Sequence, residues 1–127
     1  MFKFNLMKKD SLLRSKSYSF AVRVVKLCKF LHDEKKEYIL SKQIIRSATS
    51  IGASICEAEY AQSNLDYIHK FSISLKEANE TLYWLSLLKD TDYLDVRLFE
   101  SLYKDCNELV SMLVSTIKTL KQKTLSS

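Results

Sequence analysis

Asp66 and His69 stand in the acid-x-x-His spacing that supplies half of a di-iron site in helical proteins. A complete centre needs a second such pair and a carboxylate from each of two further helices. His32, the other histidine, has Lys29 three residues before it, so the set is incomplete and Asp66 reads as a helix-start residue. Glu57 and Glu59 are two apart and point in different directions on a helix. Glu77 and Glu80 are one turn apart and share a face, a spacing that suits a salt bridge or an inter-subunit hydrogen bond far better than a hydrolytic dyad. No glycine-rich phosphate loop is present, and Cys28, Cys56 and Cys106 have no histidine near them in sequence that would mark a nucleophile. The expectation is a non-enzymatic protein without cofactor or metal.

The cations offer a different chemistry. Residues 1–46 hold twelve Lys or Arg against four Asp or Glu, whereas residues 47–127 hold eight against eleven. Within the basic third, Lys16, Arg23, Lys26 and Lys29 recur on one arc of a helix, with Arg46 further on. Regularly spaced cations neutralise phosphates and release counterions, giving salt-dependent binding with little sequence preference. These five residues are the candidate contacts to RNA or DNA. The competing reading is a solvated face that keeps the protein soluble.

The elements that must position these groups are helical. The 127 residues contain no proline, one glycine and 46% hydrophobic residues, which disfavours a turn-rich β fold. From about Ser15 to His32, Phe20, Val24, Leu27 and Leu31 form the apolar side of a first helix, and residues 1–14 read as an arm. Ile44, Ala48, Ile51, Ile55 and Ala58 make a narrow seam on a second helix, with Ser41 as its expected N-cap. Gln43, Arg46, Ser50, Ser54 and Glu57 form another stripe on the same helix, suited to a neighbouring subunit or a ligand. Ser63 and Asp66 open a third helix with the seam Ile68, Phe71, Leu75, Ala78, Leu82 and Leu85, leaving Tyr83 and Trp84 off it. Asp95 caps a fourth, with Phe99, Leu102, Cys106, Leu109, Leu113, Thr116 and Leu120 in register. Four amphipathic helices with short connections share a core when neighbours run antiparallel, so the fold expected over residues 15–122 is an all-α up-down-up-down four-helix bundle, with residues 123–127 as a tail.

The three cysteines fall within apolar helical patterns and are expected as small buried hydrophobes in a reducing cytoplasm. Charges interrupt every apolar run near the N-terminus, unlike a secretory signal, and no stretch is long and apolar enough to span a membrane.

The run LSKQIIRSATSIGASICEAE, followed by ISLKEANETLYWLSLLKDTDYLD, resembles the two signature segments of the four-helix-bundle family associated with intervening sequences in bacterial large-subunit ribosomal RNA genes. Gln43, Arg46, Ser47, Ala48, Ser50, Ile51 and Glu57 match its second helix; Glu77, Asn79, Glu80, Tyr83, Trp84 and Leu85 match its third. Ser54 stands where the family commonly has Asn and Ala58 where it has Gly, a change that favours continuing the helix. The resemblance implies a ring, typically a homopentamer. A similar bundle is the basic accessory protein of diversity-generating retroelements, which works with nucleic acid and a reverse transcriptase. Expected subunit-interface residues are Gln43, Arg46, Ser50, Glu57, Glu80 and Trp84. The expected partners are further copies of the chain with RNA or DNA, or alternatively a protein bound to a scaffold that meets no nucleic acid.

Overall fold

The structure, a computed structural model, describes the backbone of residues 2–126 and the side chains of residues 11–125. Helices α1 (Phe2–Asp33), α2 (Leu40–Ala58), α3 (Asn64–Asp90) and α4 (Val96–Ser126) follow one another through short turns. Each helix packs on its two neighbours around the bundle, α1 on α2 and α4 and α3 on α2 and α4, and among the described residues the backbones of the diagonal pairs do not approach closely. The α1–α4 edge is therefore opposite the α2–α3 edge.

The first helix starts well before Ser15. Leu13 is fully buried, one heptad before Phe20, and extends the inward line through Phe20, Val24, Leu27 and Leu31. With no proline or glycine between Phe2 and Asp33, nothing in the chain breaks the helix there. The side chains of the first ten residues, most of the expected arm, lie outside the described residues. At the other end α4 continues to Ser126 rather than stopping at 122.

The seam of α2 is buried as its spacing predicts: Ile44, Ala48, Ile51, Ile55 and Ala58 are all inward. Its opposite number on α3 is rotated relative to the apolar pattern. Leu75 and Leu82 are only half-buried, and Ser74 and Thr81 take the inward places. The hydroxyls explain the rotation. Ser74 Oγ donates to the Ile51 carbonyl at 2.8 Å, and Ser47 Oγ and Thr81 Oγ1 share a hydrogen bond of 2.8 Å, so two small polar residues are satisfied where α2 and α3 cross. A similar close approach joins α1 to α2 at Gly52, where a Cβ would stand 3.1 Å from Ser17 Oγ.

The helix starts divide between expected and unexpected caps. Ser63 Oγ accepts from Asp66 N at 3.0 Å, and Asp66 accepts from Gln62 N at 3.1 Å. Asp95 accepts from Leu98 N at 2.8 Å. Ser41 does not cap α2. The helix begins one residue earlier, and the buried Glu37 carboxylate reaches forward to accept from Ile39, Leu40 and Ser41 N–H at 3.0, 2.9 and 2.7 Å. Lys36, at φ 53°, turns the chain to bring Glu37 into place.

Candidate functional site

Two faces carry the residues singled out by sequence. On the α2–α3 face, Arg46 projects across the crossing and donates to Glu77 at 3.1 Å and to Glu80. Trp84, one turn beyond Glu80, donates from Nε1 to the same Glu80 carboxylate at 3.3 Å. The hydrogen bond to Glu80 holds the Arg46 guanidinium above its ordinary value, and the same bond, aided by Trp84, holds the Glu80 carboxyl below its own. Tyr83, 60% exposed, meets the Trp84 ring edge-on at 5.0 Å. Ser50 donates to the Arg46 carbonyl at 2.7 Å, and Gln43 lies half-buried one turn before Arg46. Glu57 is apart from this group, pairing with Lys70 at 3.6 Å nearer the other end of α2.

The Glu77 and Glu80 carboxylates both serve one guanidinium. That arrangement holds two helices together and neutralises their charges against each other. It does not pair a proton donor with an acceptor across a substrate space. Asp66 is occupied as a cap and His69 is exposed, and among the described residues no three His, Cys, Asp or Glu side chains gather as metal ligands.

The expected nucleic-acid set is dispersed. Lys16 pairs with Glu108 at 2.5 Å, and Arg23 pairs with Asp105 at 2.6 Å while also donating to Ser101 at 3.0 Å. Both therefore clasp α1 to α4. Arg46 is on the opposite edge of the bundle. Among the described residues, Lys26 and Lys29 alone of the five are exposed and form no ion pair. A signal in the sequence bears on these roles: from Ser11 to His32 there is no Asp or Glu, and the carboxylates that pair with Lys16 and Arg23 come from α4. Where α4 supplies one the cation is held, and on the outward side none is supplied. Tyr18, 73% exposed, and Val22 lie on that outward side.

Glu37 carries no cap signal in the sequence, because it precedes the helix it caps by three residues in a turn of polar composition. Burial pushes its carboxyl up, and the three backbone N–H groups outweigh that and hold it below the ordinary glutamate range. Ser41 Oγ donates to the Glu37 carbonyl and meets His32 Nε2 at 3.1 Å, so the turn is tied to the end of α1. Cys28 and Cys106 are buried as expected, donating to the Ser41 and Ala78 carbonyls, and burial pushes their thiols up to about 11 and about 12. Cys56 is exposed, contrary to expectation, because it follows Ile55 on a helix whose inward seam Ile55 already fills. A groove of about 530 Å³ between the end of α1 and the α3–α4 turn is bordered by Phe30, Lys35, Lys89 and Tyr93.

The model of a family described as 23S rRNA-intervening sequence protein matches residues 9–115. The chain belongs to this family. The match runs from within α1 to within α4 and so includes both faces described above. A crystal structure of a protein of unknown function from the S23 ribosomal protein family, from Bacteroides thetaiotaomicron VPI-5482, is 55% identical. The similarity covers 87% of this chain and 98% of that one, with a TM-score of 0.85, and agrees with the four-helix bundle of the family. The comparison with curated proteins gave no match. No helix among the described residues is long and apolar enough to cross a membrane.

Proposed function

We propose that this protein is a non-enzymatic, self-associating bundle of the cytoplasm that holds RNA or DNA by its phosphates on the outward face of α1. The observation that carries this reading is the stretch of α1 from Ser11 to His32, which has five Lys or Arg and no Asp or Glu, with Lys26 and Lys29 in no ion pair among the described residues on its outward side. Two free ammonium groups per chain give weak binding at each site. Several chains in one assembly would multiply it, because the second and later contacts form at high effective concentration. The α2–α3 face is the surface for that assembly: its charges are already neutralised by one another, and Arg, Trp and Tyr are the side chains most often found at the centre of protein interfaces.

The test is fluorescence anisotropy with labelled nucleic acid across a salt series. Lys26→Glu with Lys29→Glu should weaken binding to every sequence alike and flatten its salt dependence. Affinity unchanged by the double reversal would overturn the reading. A protein partner is the second reading, favoured by the Arg46–Glu80–Trp84 group, and its mark is capture that persists in high salt and in the double-reversal variant.

A further inference from the structure

We infer that Tyr18 is a stacking platform for a nucleobase and that the outward face of α1 takes single-stranded nucleic acid in preference to duplex, an inference that rests on the phosphate-binding reading above. Tyr18 is 73% exposed, and its ring is in no aromatic pair and its hydroxyl in no hydrogen bond. Its surroundings leave the ring open. Ser15, one turn before, and Ser19, next in sequence, are small and exposed, and Val22, one turn after, presents an apolar flank at 38% exposure. The other exposed tyrosines are differently placed: Tyr38 meets the edge of His32, Tyr83 meets Trp84, and Tyr60 is in the α2–α3 turn, away from α1's unpaired lysines.

Lys26 and Lys29 follow Tyr18 by eight and eleven residues, about 12 and 16 Å along the helix axis, on the same outward side. Around the helix Lys29 is about 20° and Lys26 about 80° from Tyr18, so an aromatic ring and two cations share one side, the grouping by which proteins hold single strands: cations track the backbone and the ring takes a base. In a duplex the base faces are covered by their neighbours, and a tyrosine on the convex side of a helix reaches only sugars and phosphates. In a single strand the base can turn out onto the ring. Ring stacking then favours the single strand while the lysines serve both.

The experiment uses the full chain with a labelled 12-nucleotide mixed-sequence strand and its blunt duplex, each made as RNA and as DNA, read by anisotropy. Tighter binding of the single strand is expected, with Tyr18→Ala weakening it about tenfold. Tyr18→Phe should keep the affinity, and the duplex should respond to neither substitution. This order in either sugar form supports the inference and identifies the strand. Equal affinity for strand and duplex, with Tyr18→Ala silent while Lys26→Glu with Lys29→Glu weakens both, overturns it and leaves the phosphate reading standing. Absence of binding to any of the four probes overturns both. Unchanged helix content in Tyr18→Ala, expected for so exposed a side chain, excludes unfolding as the cause.

Discussion

The α2–α3 and α1–α4 edges use the same kinds of charged side chain and hold their helices in different ways. On the first, Arg46 is shared between two carboxylates, one of them buried, and Glu80 is also held by Trp84, directly above hydroxyls that cross the core at Ser47–Thr81 and Ser74. On the second, Lys16 and Arg23 form separate pairs with Glu108 and Asp105, every partner at least a third exposed. A charge pair that water reaches adds little to stability, since attraction is screened and two flexible side chains must be ordered. A network that begins in the core and ends at the surface fixes the register of two helices. The lesson is that α2–α3 is the rigid half of the molecule's charge design, and α1–α4 the adjustable half.

The largest test of that contrast is at the α2–α3 crossing. Ser74→Leu, which puts an apolar side chain in the inward place the hydroxyl holds, should destabilise the bundle by about 3 kcal/mol in urea unfolding, because the close-packed site has no room for the added carbons. A neutral or stabilising result would show that the hydroxyl crossing does not set the spacing of the two helices. Next in size, Glu37→Ala should cost about 2 kcal/mol by removing the acceptor of three backbone donors at the start of α2.

Glu37 also gives a dependence on pH. Its folded-state pKa is depressed, so its contribution is complete above the unfolded glutamate value of about 4.3 and is lost as pH falls through the lower, folded value. Glu80 has the same sign, through Arg46. Unfolding followed from pH 7 down to pH 3 should show a loss of stability in the native chain that is smaller in Glu37→Gln. Equal losses in the two proteins would remove Glu37 from the account.

Much of this architecture is legible in the sequence, and the exceptions have a common cause. Repeating apolar steps identify four helices and place Ile44 through Ala58 correctly, because burying such a seam dominates the energetics of an amphipathic helix. They mislead at Leu75 and Leu82, where a pattern that counts only apolar residues cannot foresee that Ser74 and Thr81 will find acceptors on α2. Of the six residues expected at a subunit interface, Arg46, Glu80 and Trp84 share hydrogen bonds on one face, while Glu57 stands apart with Lys70. Lys16, Arg23, Lys26 and Lys29 share an arc in the sequence yet divide, since the carboxylates that claim two of them are on α4, far along the chain. Glu37 is not legible because the backbone N–H groups it accepts from follow it by two to four residues, at a helix entry that no apolar period describes.

Smaller effects separate the two edges. Arg46→Ala should cost about 1–2 kcal/mol, leaving the buried Glu77 without its cation. Arg23→Ala should cost about 0.5 kcal/mol, diminishing further as salt rises. Equal costs for the two substitutions, or equal salt dependence, would erase the distinction between a rigid and an adjustable edge. In light scattering, Trp84→Ala should lower the size of any assembly while helix content is retained, and Lys16→Ala should leave that size alone.

The distribution of thiols turns the chain into its own reporter. Cys56 faces solvent, while Cys28 and Cys106 are enclosed and kept protonated at neutral pH. A maleimide dye should therefore attach to the folded chain at one position and to the unfolded chain at three. Counting labels over time would give the opening rate of the bundle without any mutation.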